Sequence, residues 1–231
     1  MKRFYKQAAA TPADGGYGIM LDGRPVRTPA RALLALPTVA LADAIAQEWN
    51  AQGENIKPES MIFTGLANAA IDQILPDPAA FAAGVAVYGE SDLLCYRAEA
   101  PPSLIDAQAE SWNPLLGWAR ERYDVAFLIA SGIIHVGQPP ETIARMRAVV
   151  MAYDAFMLAG LSTLVTMSGS LIIGLAVIEG AISPDRAWQA SEIDELWQAQ
   201  QWGDDADAAA RRDRRGVEFA QAAQFCALLK A

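Results

Sequence analysis

Between Asp154 and Glu179 the chain runs for 24 residues without a charge, AFMLAGLSTLVTMSGSLIIGLAVI. No other stretch restricts the fold so tightly, because an apolar run of this length either spans a bilayer or fills the interior of a helical domain. Two features decide between these. The polar and glycine residues of TMSGS, 166–170, interrupt the run, and no cluster of Lys or Arg flanks it to set an orientation. It therefore reads as two buried helices of a soluble core, without stable membrane insertion. Helices that are apolar all round need other elements to cover them.

The cover is found after residue 100. The two prolines of APPS, 100–103, break regular structure and form the clearest boundary in the chain. Beyond it, helix starts are expected at Ser103, Pro139 or Pro140, Tyr153, Ser170, Ser183 and Asp204, with Pro114 kinking or splitting the first helix. Before the boundary the pattern is mixed. In YGIMLDGRPVRTP, Asp22-Gly23 lies between two short apolar runs, a hairpin signal because both central positions of a type I′ turn need positive φ. RALLALPT reads as another strand. A helix follows from Thr38, its N-cap, to a C-cap at Gly53, with Leu41, Ala44, Ile45 and Trp49 on one face. The series Phe63, Leu66, Ala67, Ala70, Ile71 and Ile74 predicts a second helix, and Asp77-Pro78 starts a third that runs towards Val87. DLLCYRA, 92–98, reads as a short buried strand. The fold class is α+β: a small α+β N-terminal domain over 1–100 and an all-α helical C-terminal domain over 101–231.

Charge and composition then exclude some functions. The net charge is −9 and the isoelectric point about 4.6, which opposes binding to phosphate backbones, so nucleic acid is not an expected partner. Only Cys95, Cys226 and His135 are available as soft ligands, in no zinc spacing, and neither a metal nor a cofactor is expected. The low cysteine count and a start, MKRFYK, without a secretory apolar segment indicate a reducing compartment.

Enzyme templates are not met. There is no G-x-G-x-x-G after a strand, SGSLIIG lacks the Lys of a phosphate-binding loop, and no G-x-S-x-G elbow occurs. His135, between Ile134 and Val136, reads as a packed or capping residue, without a sequence-local orienter for catalysis. Cys95 follows two leucines and reads as a small buried side chain. Arg97 is expected to pair with Glu90, Asp92 or Glu99. No residue is assigned a catalytic role.

What remains is a surface. Between Arg186 and Arg211 lie six acids and no base, Glu192, Asp194, Glu195, Asp204, Asp205 and Asp207. If SEIDELWQAQQW is helical, Ile193, Leu196 and Trp197 bury, while Glu192 and Glu195 share a neighbouring face. A solvated face is the default for such a charge run. With Trp197 and Trp202 beside it, a charge-complementary docking patch is the functional alternative.

Six blocks occur in a fixed order: LDGRPVRTPAR (21–31), LPTVALADAIAQEW (36–49), LANAAID (66–72), ESDLLCYRAE (90–99), WNPLLGW (112–118) and DELWQAQQWGDD (194–205). In these the chain resembles the ATP synthase assembly chaperones that bind the free alpha subunit of the F-type catalytic sector. The resemblance implies a holding chaperone without cofactor, which covers the beta-contacting surface of the alpha subunit until the hexamer forms. It also implies a small α+β domain followed by a helical one. Eukaryotic relatives act in the mitochondrial matrix; without an Arg- and Ser-rich transit segment before the first block, a bacterial cytoplasm is expected here. Carried over by position, the acid that contacts the client falls on Glu195, with Asp194 and Glu192 as its nearest competitors. The chain departs from the family pattern at Ile62 and Gly65, where proline and arginine are frequent, and at Asn113, where aspartate is. The alternative to a chaperone is a small-molecule enzyme with a site between the two domains and Glu195 or His135 as acid or base.

Overall fold

A computed structural model describes residues 1–132, 135–203 and 205–231. The chain divides into two compact units, one of residues 1–78, 154–160 and 221–231, the other of 79–153 and 161–220. The second takes in residues 79–100, which the sequence reading grouped with the first part.

The first unit begins with an antiparallel sheet. Strands β1 (Ala8–Ala13) and β2 (Gly16–Leu21) pair from Ala8 opposite Leu21 to Ala13 opposite Gly16. The other edge of β2 takes β3 (Arg24–Pro25) and β4 (Ala35–Leu36). The Asp22-Gly23 turn forms as its residues require, with φ of 48° and 80°. Alternation buries Ile19 and Leu21 of β2, and Ile19 joins Leu36 against helix α1 (Val39–Asn50), which contributes Leu41 and Ile45. Thr38 caps α1, its Oγ1 accepting from Leu41 N at 3.2 Å; Ala51, not Gly53, is the C-cap. Helix α2 (Ile62–Ala69) runs on through a π-turn at Ala70–Ile74. It has no cap of its own. Instead the Glu48 carboxylate, from α1, accepts from Phe63 N at 2.7 Å and Thr64 N at 2.8 Å. Burial pushes that carboxyl above its usual range, against these hydrogen bonds. The first and third blocks of the sequence meet here, since Asp72 accepts from Thr28 Oγ1 at 2.6 Å and Ala30 N at 2.9 Å.

Helix α3 (Pro78–Ala86) leads into the second unit. Two 3₁₀ turns, Val87–Ser91 and Leu93–Cys95, precede strand β5 (Tyr96–Arg97). The expected strand over 92–98 is thus confined to its last residues, because Asp92 accepts from Leu94 N at 3.1 Å and winds the chain into a turn. After β5 come α4 (Pro102–Tyr123), β6 (Ala130–Ser131), α5 (Pro140–Met151), α6 (Ala155–Ser168) and α7 (Leu171–Ile178). The last three helices are α8 (Pro184–Ser191), α9 (Ile193–Trp202) and α10 (Ala206–Leu228). β5 and β6 pair in parallel. Pro114 does not split α4, which continues through it with Trp112 and Leu115 buried on either side. Ser170 and Ser183 cap α7 and α8 as expected. The expected helix start at Asp204 lies outside the described residues.

The long uncharged run forms α6 and α7, parted at Gly169, whose φ is 69°. Every residue of α7 is buried. Gly174 sits where a Cβ would come within 2.7 Å of Val165 Cγ2 on α6, so its lack of a side chain sets how closely the two helices approach. No helix among the described residues is long and apolar enough to cross a membrane.

Candidate partner-binding surface

Helix α9 and Glu192 just before it carry the five residues singled out above, and the structure gives them different situations. Glu192 is 8% exposed, at the junction of α8 and α9. Burial, then the nearby Glu195 carboxylate, pushes its carboxyl upward, while Arg215 and Arg212 oppose that shift. Asp194 is half-buried and tied inward. Its Oδ1 accepts from Gln108 Nε2 of α4 at 2.7 Å, and Gln108 Oε1 accepts from Ala98 N at 2.9 Å. One buried amide thereby links α9, α4 and the end of β5. Glu195, by contrast, is exposed.

The aromatic residues separate in the same way. Trp197 is half-buried and Trp202 is 76% exposed, and their rings meet edge to face at 5.8 Å. Trp197, Ile193 and Leu196 line an open groove of about 400 Å³ together with Ala107, Gln189 and Ala190. Those three apolar residues were expected to bury. In fact no residue of α9 is buried, because the helix packs on α4 and leaves the groove uncovered. Glu195, Gln198 and Trp202 are all exposed and follow the i, i+3, i+7 spacing of a single helical face. An acid, an amide and an indole on one face can accept hydrogen bonds, pair with a cation and cover apolar surface.

The other candidates resolve into structural roles. Cys95 and Cys226 are buried and burial pushes both thiols up to about 12, so neither is a nucleophile near neutral pH. His135 is exposed, with Nδ1 2.9 Å from Tyr96 Oη. Among the described residues Arg97 meets no carboxylate in an ion pair: its Nε donates to Leu94 O at 3.0 Å, its guanidinium to Asn113 Oδ1 at 2.9 Å, and it lies 5.1 Å from the Trp112 ring centre. Of the acids nearby in sequence, Asp92 is engaged by Leu94 N, Ser170 Oγ and Ile172 N, while Glu90 and Glu99 are exposed. Asn113 is therefore the partner of a buried cation. Gly65 is exposed with nothing around a notional Cβ, so this surface has room for the arginine of the family pattern.

Sequence reasoning missed Asp92 as an organiser. It is wholly buried and accepts from Ser170 Oγ at 2.7 Å and Ile172 N at 3.0 Å, at the N-terminus of α7. Burial raises its carboxyl to about 6 in spite of these donors. Only the pairing of SDLL with SGSL across 78 residues reveals the role, and no local pattern carries it. No group of three or more metal-ligating side chains occurs among the described residues.

With this geometry in place, comparison with known proteins gives consistent results. The family pattern described as ATP12 chaperone protein matches residues 2–120. The chain is similar to the protein named atp12, mitochondrial, of Schizosaccharomyces pombe, 25% identical over 219 residues that cover 90% of this chain and 75% of that protein. Among solved structures it is similar to Atp12 from Paracoccus denitrificans, at 43% identity and a TM-score of 0.94, covering 99% of this chain and 98% of that one. It is also similar to the Atu1473 protein of Agrobacterium tumefaciens, at 38% identity and a TM-score of 0.93, covering 99% and 85% respectively.

Proposed function

The chain belongs to the ATP12 chaperone family, the ATP synthase assembly chaperones, and from that premise we propose that it holds the free alpha subunit of the F-type catalytic sector and shields its beta-contacting surface until the hexamer assembles. The reading is non-enzymatic, as the family is one of chaperones. A free subunit of a ring exposes apolar interface that would otherwise aggregate, and transient cover by an acidic protein of matched shape suppresses that.

The single observation that carries the assignment of a contact surface is α9, a helix of ten residues with none buried, two tryptophans and an exposed acid. We place Glu195 and Trp202 at the client contact, Trp197 and its groove as the adjoining apolar recess, and Asp194 and Glu192 as the acids that fix the start of the helix beneath them. Aromatic groups of this kind dominate protein interfaces when they are desolvated by a partner.

The test is light scattering from purified alpha subunit with and without this protein. Suppressed scattering, together with no binding to the assembled alpha–beta hexamer, is expected. No suppression and no complex would remove the alpha subunit as client. An unchanged affinity in Glu195→Lys would remove the α9 contact while leaving the client in place.

A further inference from the structure

The first unit holds a pocket of about 530 Å³ bounded by the β2–β3 hairpin, the N-terminal segment and α1. Its wall is aromatic. Phe4 meets Tyr5, and Tyr5 meets Trp49, edge to face at 5.5 Å in both pairs. Tyr5 is fixed, since its Oη donates to Trp49 O at 2.6 Å and the Arg3 guanidinium lies 4.6 Å from its ring centre. Phe4 is 66% exposed, an apolar surface that folding leaves uncovered.

The rim is basic. Arg24 and Arg27 line the pocket, both are exposed, and neither forms an ion pair among the described residues. The one acid at the pocket, Asp22, is turned into the backbone, accepting from Lys6 N and Gln7 N at 3.0 Å each. Those amides hold its carboxyl below the usual range, so it stays an anion committed to the hairpin. The setting is unusual for this chain. Residues 1–31 carry six basic and two acidic side chains, whereas the remaining 200 have a net charge of −13.

We propose that this pocket is a docking site for an acidic polypeptide segment, which places one bulky apolar side chain against Phe4, Tyr5 and Trp49 while its carboxylates face Arg24 and Arg27. The pairing follows from charge and shape together. A guanidinium with no internal carboxylate takes one with charge-assisted hydrogen bonds, and the rim offers two such groups, Arg24 and Arg27, the latter also donating to Arg31 O at 2.8 Å. An aromatic recess of side-chain size gives such a segment an anchor. A lipid surface is met by protruding apolar groups rather than a recess, and a phosphate backbone supplies no apolar side chain to fill one. The site lies in the first unit and does not depend on α9 contacting the client.

The experiment is a fluorescence-anisotropy titration of the full chain with a labelled peptide, Asp-Glu-Asp-Phe-Glu-Asp-Glu, alongside a peptide with Ala in place of Phe and one with Lys in place of every acid. The Ala and Lys peptides should each bind at least about tenfold more weakly, the loss expected of removing an anchor or a charge pair. Arg24→Glu and Phe4→Ala, both at exposed positions, should weaken the Phe peptide while leaving the circular dichroism spectrum unchanged. No binding, or equal binding of the Phe and Ala peptides, overturns the proposal without any variant being needed. Sedimentation with phosphatidylserine vesicles that Arg24→Glu abolishes, in the absence of peptide binding, would assign the basic rim to a membrane surface and overturn it as well.

Discussion

Helices α7 and α9 are of similar length and lie in the same unit, yet every residue of α7 is buried and none of α9 is. They show two uses of apolar side chains. In α7 the leucines and isoleucines are removed from water on folding and contribute the bulk of their transfer free energy to stability. In α9 the indole of Trp202, 76% exposed, leaves most of that free energy unrealised in the folded chain, so it is available to an encounter with another protein. The difference predicts opposite responses to substitution: changes in α7 should act on folding and changes in α9 on binding.

The largest effect is expected at Gly174. A Cβ there would lie 2.7 Å from Val165 Cγ2 and 3.1 Å from Leu161 Cδ1, so Gly174→Val should overpack the α6–α7 contact and cost about 3 kcal/mol. A urea unfolding midpoint measures it. Gln198→Val, a comparable replacement on exposed α9, should change stability by less than about 0.5 kcal/mol. Equal costs at the two sites would break the comparison.

Next comes Asp92, which holds the start of α7. Asp92→Ala leaves Ser170 Oγ, Ile172 N and Leu94 N without their acceptor in a buried setting, at a cost of about 2–3 kcal/mol. The pH dependence has a definite sign. Burial raises the folded-state carboxyl from 3.8 to about 6, so the folded chain binds this proton more tightly than the unfolded one. The stabilising contribution is full below about 3.8 and is lost as pH rises through about 6. The stability advantage of the wild type over Asp92→Asn should therefore grow as the pH falls from 7 to 5, read from paired unfolding curves. An advantage that shrinks over that range would show that the carboxylate is held by its donors more strongly than burial opposes it.

These two residues also show what the sequence carries and what it does not. The burial of 155–178 follows from the absence of charge, and its break into two helices from TMSGS, because both are local properties of the chain. The hairpin at Asp22-Gly23 and the caps at Thr38, Ser170 and Ser183 are legible for the same reason: each needs one residue type at one backbone conformation. Asp92 is not legible, since its partners Ser170 and Ile172 lie some 80 positions away and nothing in SDLL names them. The same limit misplaced Arg97, whose aspartate and glutamate neighbours in sequence proved less accessible to it than Asn113 on α4. On α9 the acids and tryptophans could be identified as a group, but their separation into exposed Glu195 and Trp202, tethered Asp194 and buried Glu192 depends on how α8 and α4 meet the helix.

Gln108 tests that tether. Its amide joins Ala98 N to Asp194 Oδ1 and is buried, so Gln108→Ala should cost about 1–2 kcal/mol by leaving both groups without partners. Asp194→Asn, which retains an acceptor for Gln108 Nε2, should cost less than half as much. If instead both variants are neutral in stability but lower client affinity, Asp194 belongs with the contact residues and the division drawn within α9 is too sharp.

The smallest effect on folding is expected where the effect on binding is greatest. Trp202 touches Trp197 edge to face and is otherwise in solvent, so Trp202→Ala should shift stability by no more than about 0.5 kcal/mol. If the indole is desolvated by the alpha subunit, the same change should weaken the complex by at least about 2 kcal/mol, some thirtyfold in dissociation constant, as aromatic anchors at interface centres do. Glu195→Lys places a cation one helical face-repeat from it and should act mainly through the association rate, with a dependence on salt that Trp202→Ala lacks. Titration calorimetry and stopped-flow association with purified alpha subunit would separate the two. Loss of affinity in proportion to loss of stability would mean that α9 is only part of the scaffold. Loss of affinity at full stability would mean that the exposed apolar surface of α9 is realised on the client, as that of α7 is in the core.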